Sequence, residues 1–194
     1  RARIYHSSAN HAQALADLNE SSRLDPAAPV DNSLLGQTYY HLGLMEEAAQ
    51  TLEQALESNP EDSTALKYMA LTHAEQGEFD LALGYLDEAD AISPRDAEVH
   101  YFRGLVYLGS GRHQRALEEL DQAIGLNPAS PQAFAAKGQA FAALGKFHQA
   151  KEAYVAEVDI RIEALPTPAE PNIPALSDDI EENPRPATAY NARG

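Results

Sequence analysis

The sequence is poor in several residue types, and each shortage narrows the range of possible functions. It contains no cysteine and no tryptophan. Without cysteine there is no disulfide framework, no thiolate metal site and no thiol nucleophile. Basic residues are scarce, with 14 Lys and Arg against 30 Asp and Glu and a formal net charge of −16. Because so acidic a chain repels phosphate backbones and anionic lipid, neither nucleic acid nor a membrane surface is a predicted partner.

Long apolar runs are also missing. No stretch approaches the roughly 18 apolar residues of a membrane-spanning helix, and the first residues lack a secretory signal pattern. We therefore predict no direct membrane span, while a cytoplasmic and an exported location both remain open. Hydrophobic residues still make up 44% of the 194 residues, which is enough to build a core. Because the first residue is Arg1 rather than methionine, we expect further protein upstream.

The usual motifs of catalytic and metal sites are absent too. The seven histidines are scattered, with no H-E-x-x-H pair and no cluster of three ligands, and no serine lies in G-x-S-x-G. We predict no catalytic site, no metal site and no cofactor. Adjacent acidic pairs, Asp87 with Glu88 and Glu118 with Glu119, are predicted to be solvated on an outer face.

What the sequence does contain is an internal period of 34 residues. Three positions recur with this spacing, each filled four times by one residue type: Pro26, Pro60, Pro94 and Pro128; Gly43, Gly77, Gly111 and Gly145; Ala48, Ala82, Ala116 and Ala150. Proline cannot continue a helix and closes a unit, glycine adopts the left-handed conformation that ends many helices, and alanine permits close helix contact. The pattern predicts repeated pairs of helices joined by tight turns.

Other positions of the period support the same interpretation. Small residues in the middle of each first helix are predicted to let the second helix approach closely: Gly36, Ala70, Gly104 and Gly138. Short polar residues after the prolines are predicted to cap the next helix: Asp62, Asp96 and Ser130. An apolar stripe at Tyr154, Val158, Ile162 and Leu165 predicts a long last helix, to about Leu165.

A unit of this length and pattern resembles the tetratricopeptide repeat. Its large positions are filled by Tyr39, Tyr107 and Phe141 in the first helices and by Met45, Phe79 and Phe147 in the second. The resemblance implies an all-α fold, a right-handed superhelical solenoid of antiparallel helix pairs. In this register a truncated unit over residues 1–28 precedes complete units over 29–62, 63–96, 97–130 and 131–165.

The resemblance also implies where a partner binds, because first helices of this family line a concave surface. Carried onto this sequence, the partner-binding groove comprises Tyr40, His41, Lys67, Tyr68, Leu71, Tyr101, Phe102, Leu105 and Leu108. Such a surface suits an extended or helical protein segment with apolar anchors. The carboxylate clamp of heat-shock co-chaperones is absent, since Glu98 and Phe102 occupy its basic positions. The predicted function is a non-catalytic scaffold or adaptor, or a subunit of a larger complex.

The last segment, residues 166–194, differs in composition from the repeats. It holds six of the chain's 12 prolines and is acidic, so we predict a tail rather than a domain. Within it Ile173, Leu176, Ile180 and Tyr190 are candidate anchors that dock on a partner or fold back on the array. A solvated tail is an equally open alternative.

Two other functions are compatible with the same residues. The chain could be a self-assembling structural solenoid that stacks through its N-terminal unit or through the stripe at Tyr154, Val158 and Ile162. It could also be the targeting part of an enzyme whose catalytic domain lies upstream.

Overall fold

The computed structural model describes residues 11–24 and 31–164, and these residues form nine α-helices and no β-strand. The helices are α1 (His11–Leu24), α2 (Asn32–His41), α3 (Met45–Ser58), α4 (Ser63–Glu75), α5 (Phe79–Ile92), α6 (Ala97–Gly109), α7 (His113–Leu126), α8 (Pro131–Ala143) and α9 (Phe147–Glu163). The first ten residues of the predicted truncated unit and the four tail anchors lie outside the described residues.

The helices are arranged in pairs that follow the 34-residue period. Each helix contacts the next one along the chain, and α2, α4, α6 and α8 also contact one another in succession. Helix α1 stands in the register of a second helix and precedes four complete pairs. This succession confirms the predicted all-α solenoid.

Specific side chains set where each first helix begins. Asp31, Asp62, Asp96 and Ser130 are the N-cap residues of α2, α4, α6 and α8, and each accepts a hydrogen bond from a backbone N–H of the first turn. Such bonds satisfy amides that have no partner within the helix. The predicted caps at Asp62, Asp96 and Ser130 are thus confirmed, and Asp31 adds a fourth.

The turns within the pairs depend on glycine. Gly43, Gly77, Gly111 and Gly145 all adopt positive φ, between 72° and 81°. Side chains other than glycine rarely take this conformation because their Cβ approaches the backbone. The predicted left-handed turn is therefore present in all four units.

The small residues of the first helices permit close packing within each pair. A Cβ added to Gly104 would lie 2.7 Å from Leu120 Cγ, and one added to Gly36 would lie 2.5 Å from Leu52 Cγ. Both leucines are fully buried. Their side chains occupy the space that a first-helix side chain would otherwise fill.

The last helix departs from the repeat. Helix α9 has 17 residues, whereas α3, α5 and α7 each have 14. It ends at Glu163, two residues before the position predicted from the apolar stripe. No further first helix covers it within the described residues, and Phe147, Val155, Val158 and Ile162 remain exposed.

Candidate functional site

A cavity of about 520 Å³ lies along the first helices. We call it the first-helix groove; its lining residues are Tyr40, His41, Tyr68, Leu71, Ala97, Glu98, Tyr101, Phe102, Leu105, Ala123, Asn127, Ser130 and Gln132. Seven of the nine residues predicted to bind a partner are among them. The structure therefore brings side chains from α2, α4 and α6 to one surface.

Ring contacts connect the aromatic side chains of the groove across unit boundaries. The Tyr40 and Tyr68 ring centroids are 5.7 Å apart, the Tyr68 and Phe102 centroids are also 5.7 Å apart, and both pairs meet edge to face. Edge-to-face geometry is favourable for aromatic pairs. These rings stabilise the stacking of α2, α4 and α6 as well as lining the groove.

Burial divides the lining residues into two classes. Tyr68, Leu71 and Phe102 are each only 5% exposed, so they form the floor of the groove. Tyr40, Tyr101 and Leu105 are half-buried, and His41 is exposed, with Nε2 lying 3.3 Å from Tyr68 Oη. The second class offers most of the surface that a partner can contact.

Lys67 does not line the groove, contrary to the prediction. Its ammonium lies 2.9 Å from Asp96 Oδ2 and 2.5 Å from Glu98 Oε2, and its side chain is 9% exposed. Burial alone would lower the pKa of Lys67, but the hydrogen bonds to Glu98 and Asp96 outweigh burial and raise it. Two carboxylates thus compensate one ammonium, and the cluster keeps an excess negative charge.

Leu108 is the second predicted residue that does not line the groove. It packs against a buried cluster that includes Ala116, Leu117 and Leu120. Its side chain contributes to the contact between α6 and its neighbouring helices and is not among the residues that line the groove.

The groove tyrosines are held in the protonated form. Burial, aided by the negative charge of Glu75, raises the pKa of Tyr40 to about 12. Burial also raises the pKa of Tyr68 and of Tyr101, and the charge of Glu98 acts in the same direction on both. Tyrosine is already protonated at neutral pH, so these shifts only extend the protonated form to more alkaline pH. The half-buried Tyr40 and Tyr101 offer their hydroxyls as hydrogen-bond donors.

Several lining residues were not among the predicted binding residues. Ala123 and Asn127 come from the end of α7, and Ser130 and Gln132 come from the start of α8. Glu98 gives the groove an acidic edge, with its side chain 49% exposed. Family positions on the first helices could not identify Ala123 and Asn127, because these two lie outside the first helices.

The adjacent acidic pairs lie on the surface, where Asp87, Glu88 and Glu118 are exposed, but two of the four carboxylates also pair with basic side chains. Asp87 Oδ1 accepts a hydrogen bond from Arg103 Nη2 at 2.6 Å, and Glu119 Oε2 lies 2.8 Å from His100 Nδ1. In each case a first helix supplies the basic partner. Glu88 and Glu118 remain exposed.

A second apolar surface lies on the last helix. A cavity of about 500 Å³ is lined by Ala142, Phe147, Ala150, Lys151, Tyr154, Val155, Val158 and Asp159. Phe147 is 73% exposed and Val158 is 50% exposed. We call this surface the α9 face.

Within residues 11–24 and 31–164 no group of three or more histidine, aspartate or glutamate side chains is placed to hold a metal ion. Among the same residues, no helix is long and apolar enough to cross a membrane.

Two family models described as tetratricopeptide repeat match the sequence, at residues 33–97 and 73–140. Together they cover more than half of the chain. The chain belongs to the tetratricopeptide repeat family. This confirms the resemblance drawn from the 34-residue period.

Solved structures of two other proteins share the fold. A thermophilic tetratricopeptide repeat protein of Thermus thermophilus has a TM-score of 0.73 and 22% identity, over 84% of this chain and 92% of that one. MamA from Desulfovibrio magneticus has a TM-score of 0.60 and 20% identity, over 84% of this chain and 96% of that one. At these identities the likeness concerns the fold. No curated protein shows a significant match.

Proposed function

We propose that this tetratricopeptide repeat protein is a non-catalytic scaffold that binds a segment of a partner protein in the first-helix groove. Tetratricopeptide repeats generally serve protein–protein interaction. The observation that carries the proposal is the 520 Å³ cavity in which half-buried Tyr40, Tyr101 and Leu105 surround a floor of buried rings. Tyrosine in particular is enriched among residues that dominate interface energies. The partner can itself be a subunit of a larger assembly.

The chemistry of the groove specifies the kind of segment that fits. An aliphatic or aromatic anchor would pack against Tyr101 and Leu105, and a lysine or arginine beside that anchor would pair with Glu98. The hydroxyls of Tyr40 and Tyr101 would donate to backbone carbonyls of an extended segment. No lysine or arginine is among the lining residues, so the groove does not favour a terminal carboxylate.

Selection from a displayed library of random linear peptides tests this function. We expect selected sequences to combine an apolar anchor with a nearby lysine or arginine. Leu105→Ala and Glu98→Gln should each weaken their binding by about tenfold, because interface energy is concentrated in a few contacts. The matched control is Leu126→Ala, since Leu126 is 40% exposed and lies outside the groove.

Two results would contradict the proposal. Peptides enriched in aspartate and glutamate would show that the acidic edge of the groove does not select the partner. Equal binding by Leu105→Ala, Glu98→Gln and the control would show that the peptides bind elsewhere.

The α9 face favours a second candidate function, self-assembly. Phe147, Val155 and Val158 of this face are exposed, and exposed Ile162 follows one turn later on a helix that no further repeat covers within the described residues. Stacking on a second copy would remove this surface from water. Val155→Glu and Val158→Glu should then abolish any concentration-dependent rise above the 21.0 kDa mass in sedimentation experiments. A wild-type chain that stays monomeric would contradict self-assembly and leave the groove proposal intact.

The tail adds a further contact in this proposal. Apolar residues recur at Ile173, Leu176, Ile180 and Tyr190 in an otherwise acidic and proline-rich segment, and we propose that they dock on the bound partner. Hydrogen exchange of residues 166–194 would slow on partner binding. Uniformly fast exchange in both the free and the bound protein would contradict the docking.

A further inference from the structure

A cavity of about 670 Å³ separates the second helices α3 and α5. We call it the second-helix groove; its lining residues are Ala49, Gln50, Glu53, Leu56, Glu57, Pro60, Leu66, Met69, His73, Leu81, Tyr85 and Glu88. Its floor and walls include five large apolar or aromatic side chains: Leu56, Leu66, Met69, Leu81 and Tyr85. None of the lining residues is shared with the first-helix groove.

The repeat period provides an internal comparison for this surface. The residues that occupy the same five positions 34 residues later are all polar or charged: Asp90, His100, Arg103, Arg115 and Glu119. The full set of five apolar side chains is therefore not a general property of the repeat. A further 34 residues along, only Ile124 and Phe134 of the five are large and apolar.

At the following junction, between α5 and α7, ion pairs link α6 to α5. Arg103 Nη1 lies 3.3 Å from Asp90 Oδ2, and Arg103 Nη2 lies 2.6 Å from Asp87 Oδ1. One junction further, Lys137 occupies the same position of the repeat as Arg103, and its Nζ lies 2.6 Å from Asp121 Oδ1. At the α3–α5 junction Met69 stands in this position, so the side chain that pairs with the second helix elsewhere is apolar here.

Leu81 is the clearest example of an apolar residue at a position that is polar in the other complete units. Its side chain is 47% exposed, and the equivalent positions in the other complete units hold Glu47, Arg115 and Gln149. Exposing a leucine where the repeat otherwise uses polar residues leaves apolar surface in contact with water. This surface is available for a partner to cover.

The rim of the groove is acidic. Glu53 and Glu57 on α3 and Glu88 on α5 line it, and neither helix contains a lysine or an arginine. Burial and the charges of Glu88 and Glu53 raise the pKa of Tyr85, which agrees with a negative potential at this rim. An apolar floor between carboxylates is complementary to a segment with one apolar and one basic side.

We propose that the second-helix groove binds a basic amphipathic segment of a partner protein. The apolar side of the segment covers Leu56, Leu81 and Tyr85, above a floor that includes the buried Met69. Its lysine or arginine side chains pair with Glu53, Glu57 and Glu88. Because this groove and the first-helix groove have different lining residues, the protein can hold two partners at once.

A synthetic peptide of leucine and lysine in amphipathic helical order is the probe for this site. The chain has only two methionines, so ¹³C-methyl labelling of methionine gives two signals, one from Met69 in the groove and one from Met45 outside it. We expect the peptide to shift the Met69 signal and leave the Met45 signal unchanged. The same residues in scrambled order should shift neither.

Substitutions separate groove binding from general charge attraction. Leu81→Gln should lower the affinity for the peptide about tenfold, because a central apolar contact is lost. The control Leu126→Gln, at a leucine that is 40% exposed on α7, should leave the affinity unchanged. Glu53→Gln with Glu88→Gln should weaken binding more than Glu46→Gln with Glu47→Gln, an equal change of charge on exposed residues outside the groove.

Three results would overturn the proposal. Equal binding by all variants, or a shift of Met45 alone, would show that the peptide associates with acidic surface in general. Loss of binding in Leu105→Ala would place the peptide in the first-helix groove. Self-association of the free chain that Leu81→Gln removes would show that a second copy covers the groove.

Discussion

The ammonium of Lys67 lies 2.9 Å from the carboxylate of Asp96, the residue that also caps the N-terminus of α6. One carboxylate thus stabilises the start of one first helix and holds the preceding first helix against it. The same contact occurs one unit earlier, where Ser33 Oγ donates to Asp62, the cap of α4. Helix capping and the stacking of successive units are therefore coupled in this array.

Substitution of Asp96 tests this coupling. Asp96→Ala should lower the free energy of unfolding by about 1–3 kcal/mol, because both the cap and the contact with Lys67 are lost. Asp96→Asn should cost less, since asparagine caps helices about as well as aspartate and loses only the charge. Urea denaturation of the two variants checks the order. A loss in Asp96→Ala with none in Asp96→Asn would show that the charge interaction with Lys67 stabilises nothing beyond the cap.

The same pair predicts a pH dependence. Hydrogen bonds from Lys67 and from the backbone of Glu98 outweigh burial and hold the pKa of Asp96 below its ordinary value of 3.8. A lowered carboxyl pKa contributes stability above the unfolded pKa, and this contribution is lost as the pH falls through the folded pKa. The stability difference between wild type and Asp96→Asn should therefore be largest near neutral pH and shrink below about pH 4. A difference that is constant between neutral pH and acid would contradict the assignment.

Two helical glycines predict stability changes of opposite sign. Gly104→Ala should destabilise the protein by about 1–3 kcal/mol, because the new methyl group would overlap Leu120. Gly84→Ala should stabilise it by about 0.5–1 kcal/mol, because no atom lies within 4 Å of the added Cβ and alanine favours the helix. Thermal or urea denaturation of the pair measures both. A stabilising Gly104→Ala would contradict the close packing of α6 on α7.

The raised pKa of Tyr40 predicts alkaline behaviour. A raised pKa contributes stability that is complete below the unfolded value, 10.0, and is lost as the pH rises through the folded value of about 12. Tyr40→Phe should therefore lose less stability over this interval than the wild type does. In the folded protein, the phenolate absorbance that this substitution removes should titrate near pH 12. If the part of the titration that Tyr40→Phe removes were instead centred near pH 10, Tyr40 would not be buried beside Glu75.

Most of the fold was predictable because it depends on positions that repeat. The period places glycine at every turn between paired helices and a short polar residue before each first helix, and the structure has both features. Seven of the nine residues predicted for the first-helix groove line it for the same reason. Their placement follows from the register together with the resemblance to tetratricopeptide repeats.

The remainder depends on contacts that the register does not specify. The sequence predicted Lys67 as a groove residue, because the period does not reveal that Asp96 and Glu98 both reach its ammonium. The second-helix groove was missed for a related reason. Its apolar floor becomes evident only when Met69 and Leu81 are compared with the charged residues that stand 34 positions later, Arg103 and Arg115.

Amide chemical-shift mapping of a display-selected peptide on the intact chain tests the central claim most directly, because each candidate surface has its own residues. The account predicts the largest shifts at Glu98, Tyr101, Leu105 and Gln132, which line the first-helix groove. Shifts concentrated at Val155 and Val158 of the α9 face, with the groove unchanged, would contradict it.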